Sequence, residues 1–142
     1  LQKRLAPLAE DKEIFIQMPE NMPPTTIDNM QANLIILALF NLGQNAIEAT
    51  PEKGTVTFAC DTDAGNRLAF RVRDGGPGLP KEMLTAPFAP RISQKQGGTG
   101  IGLAISQQLA ERAGAELSLE SNGPDGACFL LLAFPEGTQG DD

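Results

Sequence analysis

Histidine is missing from this 142-residue chain. With no imidazole there is no His metal ligand, no His general base and no His phosphoacceptor, so hydrolytic triads and zinc sites built on His are excluded. Trp and Tyr are missing too, and Phe occurs only seven times, so the core must be mostly aliphatic. Basic residues are few, 11 Lys and Arg against 18 Asp and Glu. The net charge of −7 argues against broad binding to nucleic acid or to anionic membranes, both of which need a basic footprint. A small phosphate ligand held by local amides stays compatible with it. Cysteine is scarce: Cys60 and Cys128 share no metal-ligand spacing, and each lies in an apolar, strand-like run. They read as two buried free thiols in a reducing compartment. The longest apolar run, Leu34 to Phe40, is too short to span a bilayer, and no signal-peptide pattern opens the chain. The expectation is a soluble segment forming one domain.

Along the chain, Leu1, Leu5 and Leu8 stand at helical spacing and read as the end of a helix that connects domains. Ile14, Ile16 and Met18 then alternate as a first strand, which Pro19 to Pro24 breaks. From an N-cap at Thr26 or Asp28 a helix is predicted to Thr50, where Pro51 ends it, with Ile35, Ala38, Leu39, Leu42, Ala46 and Ala49 as its buried stripe. At about 100° per residue, Asn41, Asn45 and Glu48 share one boundary of that helix. Such a strip is equally a solvated rim or a polar wall of a site. Thr55 to Asp61 and Arg67 to Arg73 read as an antiparallel hairpin around Asp63, Gly65 and Asn66.

A short helical piece is predicted at Lys81 to Leu84, and Pro87 to Gly98 has no periodicity and reads as a mobile lid. A second long helix is predicted from Gly100 to Ala113, buried through Ile101, Ala104, Ile105, Leu109 and Ala113 and capped by Gly114. Two strands, Ala115 to Ser121 and Ala127 to Phe134, close the fold around a turn with Gly123, Pro124 and Gly126. Separated blocks of helix and mainly antiparallel strand favour an α+β two-layer sandwich, with a mixed sheet of about five strands on about three helices. The domain is expected to occupy residues 14–135, with 1–13 ending an upstream linker helix and 136–142 a polar tail.

Two glycine-rich stretches carry the chemistry. Asp74-Gly75-Gly76-Pro77-Gly78 follows a buried strand; its Asp can accept a hydrogen bond from an exocyclic amine, and Gly76 and Gly78 leave room for a flat ring. By itself it is also ordinary turn chemistry. Gln96 to Ser106 puts glycines just before an apolar helix, which is either a flexible loop or a phosphate cradle built from main-chain amides and a helix N-terminus. It is no P-loop, because Leu103 and Ala104 follow Gly102 where Lys and Ser or Thr would stand. It is no Rossmann fingerprint either, lying late in a short chain without a repeated strand-helix-strand series.

Taken in order, these stretches resemble the ATP-binding catalytic domain of sensor histidine kinases, in the GHKL superfamily with its Bergerat fold. Asn41 to Ala46 looks like the N box, Asp74 to Gly78 like the G1 box, Gly98 to Leu103 like the G2 box, and Phe88-Ala89-Pro90 with Lys95 like the F box and lid. The resemblance implies ATP and Mg²⁺ as ligands, with Asp74, Gly76, Gly78, Phe88, Gly98, Thr99, Gly100, Ile101, Gly102 and Leu103 around the nucleotide. It implies Asn45, supported by Asn41, on the metal, and places Lys95 in the lid; Arg91, which is not part of the family pattern, is a candidate catalytic residue that would supply positive charge to the phosphates. The acceptor must then be a His on an upstream dimerisation domain, through which a response regulator is reached. It further implies a cytoplasmic segment without direct membrane contact, in a parent protein compatible with a membrane anchor.

Three departures from the pattern stand out. Glu48 occupies a position that is often basic, Arg91 replaces the second Phe of the lid motif, and Ala127-Cys128 stands where a Thr or Ser often closes the adenine pocket. Asn41 stands where the topoisomerase-type relatives carry a water-activating Glu, so independent ATP hydrolysis is expected to be very slow. The alternatives are an anti-sigma-factor-type serine kinase, or a nucleotide-binding regulatory module without transfer activity.

Overall fold

A computed structural model of the chain describes residues 2–19, 29–62, 67–89 and 102–134. In chain order its elements are α1 (Gln2–Asp11), β1 (Phe15–Gln17), α2 (Asn29–Ala49), β2 (Thr55–Thr62), β3 (Leu68–Arg73), a 3₁₀ turn (Lys81–Met83), α3 (Gly102–Arg112), β4 (Glu116–Gly123) and β5 (Gly126–Ala133). The five strands make one sheet in the order β1-β2-β3-β5-β4, parallel only between β1 and β2. Three helices and a mixed, mainly antiparallel sheet make the α+β sandwich expected from the sequence. No helix among the described residues is long and apolar enough to cross a membrane.

Period-2 alternation decides which side of the sheet is buried. Register aligns Phe58 with Val72 and Val72 with Phe129, and Cys60 with Phe70 and Phe70 with Leu131, so one face carries continuous apolar rows. These rows meet Ile35, Ala38, Leu39, Leu42 and Ala46 of α2 in a single core. Each such Leu, Ile or Phe contributes about 1.5–3 kcal/mol when fully buried. Alternation turns Arg71 to the other face, where Nε and Nη2 donate to the two carboxylate oxygens of Glu120 at 2.8 and 2.9 Å.

Gly43 sits mid-helix in α2, where glycine costs about 1 kcal/mol relative to Ala. The reason is packing: a Cβ there would come within 2.8 Å of Leu5 and 2.9 Å of Phe58. α1, expected as the end of a linker, thus presses against α2 and adds fully buried Leu5 and Ala9 to the core. Its following residue Lys12 caps α2, donating from Nζ to the carbonyls of Ile47 at 2.8 Å and Glu48 at 3.2 Å. A cation at those last-turn carbonyls adds a donor to each and complements the helix dipole.

α3 ends as predicted. Gly114 has φ +71, its N–H bonds the carbonyl of Glu111 and that of Ala115 bonds the carbonyl of Ala110, which is a Schellman cap. The buried row of α3 differs from the one expected. Ala104 and Ala113 are buried, but Ile105 is exposed and Leu109 half-buried, while Leu103, Ser106 and Ala110 are buried instead. Two rows at 3–4 spacing overlap in this helix, and the one bearing small residues is chosen because α2 packs closely alongside. Ala49 of α2 is half-buried rather than buried.

Cys128 is a buried free thiol, as expected, whereas Cys60 is only half-buried. The physical reason is its place near the end of β2, where it lines an apolar cavity. The expected N-cap at Thr26 or Asp28, the turn at Asp63 to Asn66, residues 90–101 and the tail all lie outside the described residues.

Candidate active site

β3 delivers the chain from the buried rows directly into Asp74, which is itself 95% shielded, with 5% relative exposure. Its N–H donates to the carbonyl of Ala127 at 3.0 Å, extending the β3–β5 ladder by one residue. Oδ1 accepts from the N–H groups of Gly76 at 2.9 Å and Ala127 at 3.2 Å. One carboxylate oxygen is therefore committed to main chain and fixes the side chain. Among the described residues Oδ2 has no hydrogen-bond partner. A buried acceptor left unsatisfied costs about 1–3 kcal/mol, more when charged, so this atom calls for a donor supplied by a ligand.

The turn after Asp74 is clamped by Thr50, Asn122 and Gly126, whose contacts with it were not expected from the sequence. Just past the end of α2, Thr50 is fully buried; its hydroxyl donates to the carbonyl of Ala46 at 2.7 Å and accepts from Gly75 N–H at 3.0 Å. From β4, Asn122 accepts from Leu79 N–H at 2.7 Å and donates to the Leu79 carbonyl at 3.3 Å, pairing with it as a strand would. From β5, a Cβ on Gly126 would collide with the carbonyl of Asp74. The only sequence signals were a Thr before Pro at a helix end and an Asn and a Gly flanking a hairpin turn.

Gly76 and Gly78 were expected to leave room for a ligand ring, but protein occupies that space first. A Cβ on Gly76 would strike the Ala49 carbonyl. Gly78 has φ +87, and its Cβ would come within 2.8 Å of Asn122 Oδ1. Their lack of side chains is what lets the turn dock against α2 and the β4–β5 hairpin.

Asn41 and Asn45 lie one turn apart on α2, both half-buried, and Ala49, the residue abutting Gly76, lies one turn further on. The helix thereby brings the two amides and the Asp74 turn to one region. Asn41 Nδ2 donates to the Leu37 carbonyl at 3.0 Å, leaving its amide oxygen as the available end. Asn45 has no hydrogen-bond partner among the described residues. Glu48 is exposed on the next turn.

Phe88 packs on the core with its ring centroid 5.7 Å from that of Phe129. Leu103, expected beside the nucleotide, is part of the core, and Gly102 opens α3. Arg91, Lys95, Gly98, Thr99, Gly100 and Ile101 lie outside the described residues.

No Thr or Ser hydroxyl stands at Ala127 or Cys128. Ala127 meets Asp74 through its amide alone, and Cys128 pairs in register with Arg73 and lies 3.7 Å from Glu120 Oε1 through Sγ. Burial, ahead of the nearby Glu120 charge, raises the Cys128 thiol above its ordinary range. A thiol buried in this way is a poor nucleophile.

Residues 30–138 match the protein-family model described as the histidine kinase-, DNA gyrase B- and HSP90-like ATPase. Sensor histidine kinase ZraS of Salmonella typhi is 32% identical over 125 residues, covering 87% of this chain and 26% of that protein. The C4-dicarboxylate transport sensor protein DctB of Rhizobium meliloti is 38% identical over 117 residues, covering 78% of this chain and 18% of that protein. This chain thus spans only about a fifth to a quarter of such relatives. Full-length ShkA, solved in complex with AMPPNP, is similar at TM-score 0.72 and 29% identity, over 92% of this chain and 27% of that one. The nucleotide-free catalytic domain of the histidine kinase ThkA is similar at TM-score 0.73 and 26% identity, over 95% and 87%. An Asp-Gly turn at a strand end, paired helical Asn residues, the sandwich that joins them and these likenesses agree: the chain belongs to the histidine kinase-, DNA gyrase B- and HSP90-like ATPase family, as a histidine kinase catalytic domain.

Proposed function

We propose that the domain binds Mg²⁺-ATP between α2 and the Asp74–Gly78 turn and transfers the γ-phosphoryl group to a histidine on a separate dimerisation and phosphoacceptor domain. That domain passes the group to a response regulator, as in two-component signalling. The observation that carries this reading is the buried Asp74 carboxylate, with Oδ1 held by two amides and Oδ2 unpaired among the described residues. Oδ2 accepts from the exocyclic amino group of adenine, which selects a base presenting a donor at that edge.

The residues present also fit a hydrated Mg²⁺, which takes oxygen ligands and keeps several waters. Among the described residues Asn45 has no hydrogen-bond partner and Asn41 keeps its amide oxygen unpaired, one helical turn apart. When bound, the metal neutralises and orients the phosphates. In the same reading the amides of 98–102 hold the phosphate chain, Phe88 anchors the lid to Phe129, and Arg91 and Lys95 supply positive charge that Glu48 does not. A neutral imidazole needs no deprotonation to attack, so the domain requires no general base. With no His in the chain, transfer depends on the external domain.

Calorimetric titration with ATP, with and without Mg²⁺, tests the first half. Asn at position 74 would present N–H₂ to the adenine amine, so Asp74→Asn is expected to weaken ATP by about 10- to 100-fold, equivalent to ~1.5–3 kcal/mol for a charged hydrogen bond. Adding the native His-bearing segment should then yield acid-labile, base-stable phosphate. Absence of nucleotide binding defeats the reading, and phosphate found only on Ser moves it to the serine-kinase class. Unchanged affinity and transfer in Arg91→Ala would remove that residue's role.

A further inference from the structure

Asn41, Asn45 and Glu48 follow one another along α2 at spacings of four and three, so at about 100° per residue they fall within about 60° of one another. Two amides suffice to seat a hydrated metal, which leaves the carboxylate without a part. Its backbone is firmly held. The Glu48 carbonyl accepts from Lys12 Nζ at 3.2 Å, Ala49 abuts Gly76, and the Thr50 hydroxyl receives the Gly75 N–H at 3.0 Å. The side chain itself is exposed. A negative charge is thus carried on a fixed helical turn beside the Asp74 turn.

Local chemistry disfavours an acid at this position. Glu48 lies in the last turn of α2, at the negative end of the helix dipole, where Lys or Arg is favoured. α2 has no basic residue in that turn, and its last carbonyls receive their cation from Lys12, outside the helix. Carboxylate and dipole therefore act together, drawing a cation to this end of α2 and repelling a bare polyanion. Across a partly solvated gap of about 10 Å, one unit of like charge changes an equilibrium about fivefold or more.

We infer that Glu48 makes nucleotide binding conditional on Mg²⁺: its carboxylate attracts the metal through the metal's water shell and repels ATP that arrives without it. The inference rests on the proposed binding of Mg²⁺-ATP between α2 and the Asp74–Gly78 turn. Bound Mg²⁺ keeps several waters, so a carboxylate one turn from Asn45 acts on it without direct ligation. Building repulsion against the wrong ligand is as much a route to specificity as attracting the right one. ATP without its metal lacks the charge neutralisation that transfer needs, and a site that holds it is blocked. Glu48 keeps that dead-end complex from forming. Asp74 then selects the base and Glu48 the metallated form of the nucleotide.

Calorimetric titration of the 142-residue chain with ATP, in excess Mg²⁺ and in EDTA, gives the ratio of two affinities that measures coupling between metal and nucleotide. Glu48→Gln keeps the size and removes the charge. It should tighten metal-free ATP by about fivefold or more and lower the ratio by about tenfold. Glu48→Lys should tighten metal-free ATP further, and both gains should shrink as salt is raised, since the charge is exposed. Asp74→Asn should weaken ATP by a similar factor in both media and leave the ratio as in the parent. An unchanged ratio in Glu48→Gln, or metal-free ATP bound no more tightly by Glu48→Gln and Glu48→Lys than by the parent, would overturn the inference and leave the ATP site standing. An equal shift with and without Mg²⁺ would do the same, because the carboxylate would then act on the nucleotide or the lid alone. A parent that binds no ATP in either medium overturns the inference together with the reading beneath it.

Discussion

A single hydroxyl, that of Thr50, ties the long helix to the turn that holds Asp74. It donates to the Ala46 carbonyl, which also accepts the Thr50 N–H, and receives the N–H of Gly75, all with no solvent access. Thr50→Val keeps the shape and leaves that N–H without its acceptor, at a cost of about 1–3 kcal/mol in unfolding free energy. Thr50 is a positioning residue, so its loss should also weaken ATP at temperatures where the variant is fully folded, while Thr50→Ser restores both. Unfolding in urea together with a binding isotherm at low temperature checks this. A variant that is less stable but binds as the parent would reduce Thr50 to a structural role. Asp74 was legible in the sequence because its Asp-Gly turn follows a strand and stands in order with the helical Asn pair and the second glycine-rich stretch; alone it is ordinary turn chemistry. Thr50 and Asn122 were not, since nothing local says that their side chains cross 25 and 43 residues to reach Gly75 and Leu79.

At the scale of elements, the contact between α1 and α2 is set by a missing side chain. Gly43→Ala gains about 1 kcal/mol of helix propensity but forces a methyl to within 2.8 Å of Leu5, and overpacking a well-packed core costs about 1–3 kcal/mol. The net expectation is destabilisation by about 1 kcal/mol on those magnitudes. Leu5→Ala destabilises alone, through its cavity, yet it should relieve much of the Gly43→Ala penalty in the double variant. A double-mutant cycle from urea midpoints measures this, and strict additivity would show that the two residues do not share space. Periodicity located α2, α3 and all five strands. It misjudged the buried row of α3 because Ile105 and Leu109 on one row and Leu103 and Ala110 on the next obey the same spacing. Which row faces inward is decided by close packing on α2.

Across the whole molecule, the helices cover one face of the sheet and leave the other to a charged network. Arg71 bridges β3 to Glu120 on β4 by a bidentate pair and has Asp61 of β2 at 3.8 Å. The hydrogen bond from Arg71, ahead of its charge, holds the Glu120 carboxyl below its ordinary range. In the unfolded chain Glu120 takes up its proton at a higher pH than in the folded one. The pair's stabilisation is therefore complete above the ordinary Glu pKa and is lost as pH falls through the lower, folded value. Solvent screening at this exposed site keeps the effect to about 0–1 kcal/mol. Unfolding free energies of the parent and Glu120→Gln should converge on acidification from neutral pH. A constant gap between pH 7 and strong acid would contradict the assignment.

The sequence by itself determined the elements, the fold class and the order of the Asn-bearing and glycine-rich stretches. Those follow from local chemistry: a period of two or of 3.6, glycine where backbones meet, a Pro after a helix. It also fixed that no phosphoacceptor histidine lies in this chain. Only the tertiary structure decided the rest. It gave the strand order, with β5 placed between β3 and β4, so that Ala127 rather than a side-chain hydroxyl meets Asp74. It made Gly76 and Gly78 contacts between backbones, and it drew α1 into the core against Gly43. Each of these joins residues far apart in the chain, and their energy comes from surfaces that exist only once the helices and the sheet have met.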